Sequence, residues 1–209
     1  MGQKTVRPPL GLIADDTALD FVNSIAAPRG TEHDWVSDGE DLLHWLTAAN
    51  LISIGDADGL RQHLEKPALD DAALKARELR EWFRSFVLRR AGTTQHCVAT
   101  ADAARLNEIL AHGSSFMELE AAAGQSPQLK QRRRWSDKDM LLVPVAEAMA
   151  RLIESVNFSE VKNCEGPTCT MLFRDVSKNH KRRWCSMAVC GNRAKAAAHR
   201  EKKRVEAPG

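Results

Sequence analysis

Cys164-Glu-Gly-Pro-Thr-Cys169 and Cys185-Ser-Met-Ala-Val-Cys190 are the two stretches on which the reading of this chain turns. Each pair of cysteines encloses four residues, fifteen residues lie between the pairs, and Gly166-Pro167 supplies a turn inside the first. Thiolates so spaced can converge on one point, and four soft sulfur ligands in a tetrahedron suit zinc. A gap of four stands at the long end of the usual pair spacing. The same four thiolates can bind an iron–sulfur cluster, and two disulfides or a redox-sensing thiol set are further alternatives. The expectation is one structural Zn2+ per chain on Cys164, Cys169, Cys185 and Cys190, stabilising a segment too small to build its own core. His180 and His199 are then left as exposed residues or phosphate contacts. The fifth cysteine, Cys97, reads as an ordinary half-buried thiol.

Basic charge gathers in the same segment. From Lys162 to Arg204, twelve Lys and Arg stand against Glu165, Asp175 and Glu201, a net +9 in a chain of net +2, so the remainder is net −7. A basic end on an acidic body points to an anionic partner, although charge alone also fits a solubilising tail. After Cys190 the chain runs Gly-Asn-Arg-Ala-Lys-Ala-Ala-Ala-His-Arg-Glu-Lys-Lys-Arg, an alanine-rich helix with no breaker before Pro208. At about 100° per residue, Arg193, Arg200 and Arg204 share one face with Lys203 beside them, and Lys195 and Lys202 lie on the opposite flank. Only the sector around Ala194, Ala198 and Glu201 lacks positive charge. So narrow an inner face cannot anchor the helix by burial, so the metal must fix its start.

Nucleic acid is the partner that such a helix fits. Asn192 and Arg193 follow the ligand Cys190 and are the candidates for reading base edges; bracing of the metal loop by Arg193 is the equal alternative. Lys195, Arg200, Lys202, Lys203 and Arg204 are candidates for phosphate contacts. Lys181-Arg182-Arg183-Trp184 adds a second basic cluster, with Trp184 as a packing lid on the small site rather than a base-stacking platform.

The rest of the chain reads as mostly helical. Thr17 caps a short helix carrying Leu19, Phe21, Val22 and Ile25, and Ser37 with Glu40 forms a capping box before Leu42, Leu43, Trp45 and Leu46. Leu69 to Arg90 holds the strongest three-four apolar spacing, and Ala101 to His112 repeats it with Gly113 as a C′ residue. A short β-hairpin fits 116–120 and 128–135 around Gly124 and Pro127, with Arg132-Arg133-Arg134 as a solvated strand edge. A last helix runs from Pro144 to Val156. Leu43, Trp45, Trp82 and Phe86 would line a small-effector pocket between helices, though plain core fits them better. No Gly-rich phosphate loop, Ser/His/Asp order or His-Glu zinc-protease motif appears, so no enzyme is expected. The absence of a long apolar run or apolar leader points to a cytoplasmic protein, nucleoid-associated when bound to DNA.

Cys190-Gly191-Asn192-Arg193 spells the signature of the CGNR zinc-finger proteins, and Phe173-Arg-Asp-Val-Ser177 and Arg182-Arg-Trp-Cys-Ser-Met187 resemble that family too. Leu19-Asp-Phe-Val-Asn23 and Asp41-Leu-Leu-His-Trp-Leu46 resemble the ABATE domain that precedes this finger. The resemblance implies a bacterial, stress-induced transcriptional regulator with a helical N-terminal domain and a zinc-dependent DNA-binding end. By motif position, its metal ligands fall on Cys164, Cys169, Cys185 and Cys190.

The expected fold is mainly α: a helical domain with a short hairpin over residues 1–160, for sensing or dimerisation, and a four-cysteine finger over 161–209 ending in a basic helix. The expected function is DNA binding in transcriptional control, with double-stranded DNA as partner, a small-molecule effector in the N-terminal domain and a homodimer as further possibilities. The alternative is a zinc-stapled adaptor that binds an acidic protein or RNA.

Overall fold

The computed structural model describes residues 8–94, 97–121, 124 and 126–206, without the side chains of 205 and 206; His96, positions 122, 123 and 125 of the expected hairpin turn, and Pro208 lie outside them. The first helix, α1 (Thr17–Val22), starts one residue earlier than expected. Its cap is Asp16, whose carboxylate accepts the N–H groups of Ala18 and Leu19, and Thr17 is the first helical residue. The helix ends at the Asn23 cap, so Ile25, expected on it, instead opens a two-residue antiparallel pair, β1 (Ile25–Ala26) with β2 (His33–Asp34). Asp38, not Ser37, caps α2 (Gly39–Ala48) by accepting from Asp41 N–H, while Ser37 N–H donates to the Asp41 side chain. The cap shifts by one residue, while Leu42, Leu43, Trp45 and Leu46 are buried. Left-handed Asn50 (φ 56°) then closes α2, with Leu51 N–H donating to Leu46 O at 2.9 Å and Asn50 N–H to Thr47 O at 3.0 Å.

The sequence reading missed α3 (Ile54–His63), which opens on a reciprocal Ser53–Asp56 capping box. It buries only Ala57 and Leu60, so its apolar period is faint. The longest helix, α4 (Lys66–Leu88), carries Pro67 in its first turn and buries Leu69, Ala72, Ala73, Ala76, Leu79, Phe83, Phe86 and Val87. Next, α5 (Thr100–Leu110) ends on Ala111; Gly113 is not in the left-handed conformation expected of a C′ residue. The hairpin forms as expected from β3 (Ser115–Glu120) and β4 (Gln128–Arg133), with Leu119 opposite Leu129. A 3-10 turn over Lys138–Leu142 leads into α6 (Val143–Ser155). Beyond it, β5 (Val161–Asn163) pairs antiparallel with β6 (Leu172–Arg174), and α7 (Asn192–Glu206) ends the described chain.

Helix α4 lies at the centre, against α1, α2 and the 138–142 turn. Phe83 and Phe86 stack with ring centres 5.6 Å apart, and Phe158 meets Phe86 edge-on at 6.0 Å. Leu43, Trp45 and Phe86 are fully buried within this packing and Trp82 lies against Phe86, so the residues considered for an effector pocket are core. Arg80 is also inside: only 2% exposed, it grips Asp34 through both carboxylate oxygens at 2.8 Å and Ser24 Oγ at 3.0 Å. That fork ties the β1–β2 pair to α4. Cys97, expected half-buried, is exposed.

The core does not stop where the charge changes. Val161, Cys164, Met171, Leu172, Phe173, Cys185 and Cys190 belong to the same buried cluster as α1, α4 and α6. Strand β6 packs on α1, and Arg174 N–H donates to Ala14 O at 2.8 Å. Among the described residues, no helix is long and apolar enough to cross a membrane.

Candidate metal centre and basic helix

The four cysteines come from two loops. Cys164 directly follows β5, where its N–H donates to Met171 O at 2.9 Å, and Cys169 closes the turn with its N–H on Gly166 O at 3.0 Å. Cys185 follows the 175–184 loop, and Cys190 sits in a single π-turn over Met187–Gly191 that runs directly into α7. Asp175 organises the loop between them. It is fully buried and accepts from Lys162 Nζ at 2.6 Å, Ser177 N–H at 3.1 Å and Arg182 N–H at 2.9 Å. Burial pushes its carboxyl up, but the Lys162 hydrogen bond and these other donors pull it further down, well below the usual carboxylate range.

The four sulfur atoms all lie within 4.8 Å of one another. Cys169 Sγ stands 3.8 Å from Cys185 Sγ, which stands 3.7 Å from Cys190 Sγ. A tetrahedron with metal–sulfur bonds of about 2.3 Å has an edge of about 3.8 Å, so one ion fits among them. Backbone donors already face the sulfurs, with Gly166 N–H 3.5 Å and Cys185 N–H 3.3 Å from Cys164 Sγ. Gly166 lies so close over the cluster that an added Cβ would stand 3.1 Å from Cys169 Cβ and 3.3 Å from Cys190 Sγ. The thiols compete for charge. A hydrogen bond from Cys185 brings Cys169 down to about 5, the reverse side of that bond pushes Cys185 up, and burial pushes Cys190 up. A dication held by these four sulfurs would ease that competition, because its charge would favour the thiolate form of each.

A profile of the ABATE family, described as a "putative stress-induced transcription regulator", matches residues 15–156. The chain belongs to the ABATE family. The profile of the CGNR zinc finger matches residues 160–203, and neither family is catalytic. Among curated proteins, no relative matches the chain.

Each letter of the finger's signature has a visible task beside Cys190. A Cβ on Gly191 would stand 2.3 Å from Met187 Sδ, so glycine lets the π-turn close over that side chain. Asn192 Nδ2 donates to Ala188 O at 3.3 Å. Arg193 donates to Cys190 Sγ at 3.1 Å and to Pro28 O at 2.5 Å, which joins the cysteine cluster, the basic helix and the ABATE body.

The other basic residues divide in two. Arg182 turns inward: it donates to Ile13 O and Trp184 O at 3.0 Å and to Cys185 O at 2.6 Å, pairs with Asp15, and lies over Phe173. Trp184 is half-buried against the core with the Arg183 guanidinium over its ring, while Arg183 also pairs with Glu165 at the surface. Lys181, Lys195, Arg200, Lys202, Lys203 and Arg204 are exposed, as is His199, and Arg204 pairs with Glu201 one turn back. His180 is exposed as well, its ring on the Asp175 carbonyl. The hairpin arginines are engaged locally, Arg132 with Glu118 and Arg133 with Glu147.

Proposed function

We propose that this ABATE-family chain is a zinc-dependent, duplex-DNA-binding regulator, with residues 161–209 as its nucleic-acid end and 1–160 as the body that bears on it. The observation that carries this reading is the helix α7. From Lys195 to Arg204 its side chains are exposed and rich in cations, and among the described residues it is held at the end where Cys190 enters the cysteine cluster. Such a helix has nothing of its own to pack against, and its charge suits a phosphate backbone. Lys181, Arg183, Lys195, Arg200, Lys202, Lys203 and Arg204 are the proposed phosphate contacts. Arg182 and Arg193 enter as braces of the finger, and Asn192 holds the turn before the helix.

Zinc is the proposed ion, one per chain. The mutual approach of all four sulfurs supports a single ion; a cluster of several bridged irons would hold its outer ligands further apart. Bound there, zinc would offset about half of the thiolate charge and lock the turn that aims α7, a structural rather than catalytic task. For a small effector, the seam between body and finger suits better than the helical core. An apolar cavity of about 320 Å3 lies there between Leu10, Ile13, Trp35, Met171, Cys185 and Val189.

Fluorescence anisotropy with labelled duplex DNA, duplex RNA and single-stranded RNA tests the reading. Duplex DNA should bind best, and a genomic selection should return a sequence that keeps its advantage at physiological salt. Equal binding of RNA and DNA would favour the adaptor reading instead.

A further inference from the structure

The loop between β1 and β2 belongs to the body by sequence, yet it lies on the finger. Ala27 N–H donates to Thr170 Oγ1 at 2.9 Å, and the Pro28 carbonyl accepts from the Arg193 guanidinium at 2.5 Å. Gly30 turns with φ +87° against Thr168, where an added Cβ would stand 3.4 Å from the Thr168 side chain. These contacts bracket residue 29 on both sides. Arg29 itself is exposed, and among the described residues its guanidinium makes no hydrogen bond or ion pair. It opens onto a groove formed with Ala188, Val189, Asn192, Arg193 and Ala196 along the start of α7.

Ala196 marks the side of α7 that the groove faces. At about 100° and 1.5 Å per residue, Arg200 and Lys203 continue that side roughly 6 and 11 Å further along, with Arg204 adjoining. On that side Ala196 and Ala197 stand between Arg193 and Arg200, small enough for a nucleic-acid backbone to come close. We propose that Arg29 is the first cation of a phosphate-tracking stripe that runs from the β1–β2 loop down α7. The duplex-binding face is therefore built by both modules, and the acidic body contributes to it. This rests on the duplex-DNA reading and adds to it a partner surface outside the finger. The clamp of Pro28 on Arg193 sets the spacing between Arg29 and the helix, so the metal cluster positions the body's cation as well as its own.

The test uses the full-length, zinc-loaded protein and random-sequence duplex, titrated over a range of salt. Arg29→Ala should weaken binding roughly 3- to 10-fold and lower the salt slope by about one unit. Arg29→Lys should restore most of both, because a phosphate accepts a point charge. Arg89→Ala, which removes an exposed charge elsewhere on the body, should leave both unchanged. Zinc content and thermal midpoint should match wild type in every variant. Wild-type affinity and slope in Arg29→Ala overturn the proposal, as does an equal loss in Arg89→Ala, failure of Arg29→Lys to rescue, or loss of zinc from Arg29→Ala. A wild-type protein that does not bind duplex at all sinks the DNA reading itself, and shows this before any variant is compared.

Discussion

Asn23, which caps the end of α1, and Leu172 of β6 hold each other in both directions. Asn23 Nδ2 donates to Leu172 O at 2.7 Å, and Leu172 N–H donates to Asn23 Oδ1 at 2.9 Å. Both residues are buried, so this exchange substitutes for the strand partner that β6 lacks on that side. It makes one side chain of the body part of the finger's sheet.

Asn23→Ala should therefore destabilise the whole chain by about 2–4 kcal/mol, the cost of leaving a buried N–H and a buried carbonyl without partners. Urea unfolding followed by far-UV circular dichroism should show one transition shifted as a unit. A separate early transition of the finger, with the helical signal unmoved, would mean that the shared core does not couple the two parts.

Arg193→Ala removes donors from Cys190 Sγ and from Pro28 O. Loss of a group that hydrogen-bonds a metal ligand typically lowers metal affinity about 10- to 100-fold. Competition with a chromophoric chelator measures it. Unchanged zinc affinity together with a narrowed preference for specific DNA would return Arg193 to the role of base reader.

Arg80→Met tests the buried fork on Asp34. It keeps most of the volume but strands the carboxylate, and should cost about 3 kcal/mol in urea unfolding. In the wild type, burial pushes Asp34 up, but the Arg80 hydrogen bond holds it below its ordinary value. A variant as stable as wild type at pH 7 would show that the pair contributes nothing net.

Acid and neutral conditions should separate two kinds of carboxyl. Asp34 and Asp175 sit below their ordinary values, so the stability they contribute is present above about pH 4 and is lost as pH falls further. Asp20 goes the other way: burial, chiefly, raises it from 3.8 to about 6. Its folded form prefers the proton, so its contribution is lost as pH rises from about 4 through 6. Asp20→Asn should melt higher than wild type at pH 7.5, with the difference shrinking toward pH 4. Scanning calorimetry at the two pH values checks this, and a constant difference would contradict it.

The convergence of the four cysteines was legible because its information is local: two short loops, each with its own spacing. The helices α4 and α6 were legible because each buries a broad stripe at helical spacing. What escaped the sequence reading depends on distant partners. Arg80 looks like any surface arginine on a helix until Asp34, 46 residues away, is placed beside it. Asn23 and Leu172 are 149 residues apart. The composition shift at Val161 reports charge, and charge says nothing of burial; Leu172 and Phe173 carry the core past it. Helix α3 left one usable sign, the Ser53–Asp56 box, too short to stand out without an apolar stripe behind it.

Duplex binding before and after metal removal tests most directly the dependence of α7 on the cysteine cluster. Full-length protein purified under reducing conditions is assayed on one labelled duplex as isolated, after dialysis against a strong chelator, and after zinc is restored. One zinc per chain, a steep inverse dependence on salt, loss of at least about tenfold in affinity on chelation and full recovery on reloading are expected. Undiminished binding by the metal-free protein would contradict it: the basic residues would then act as a flexible charged tail, with no need of the cysteines that hold their helix in place.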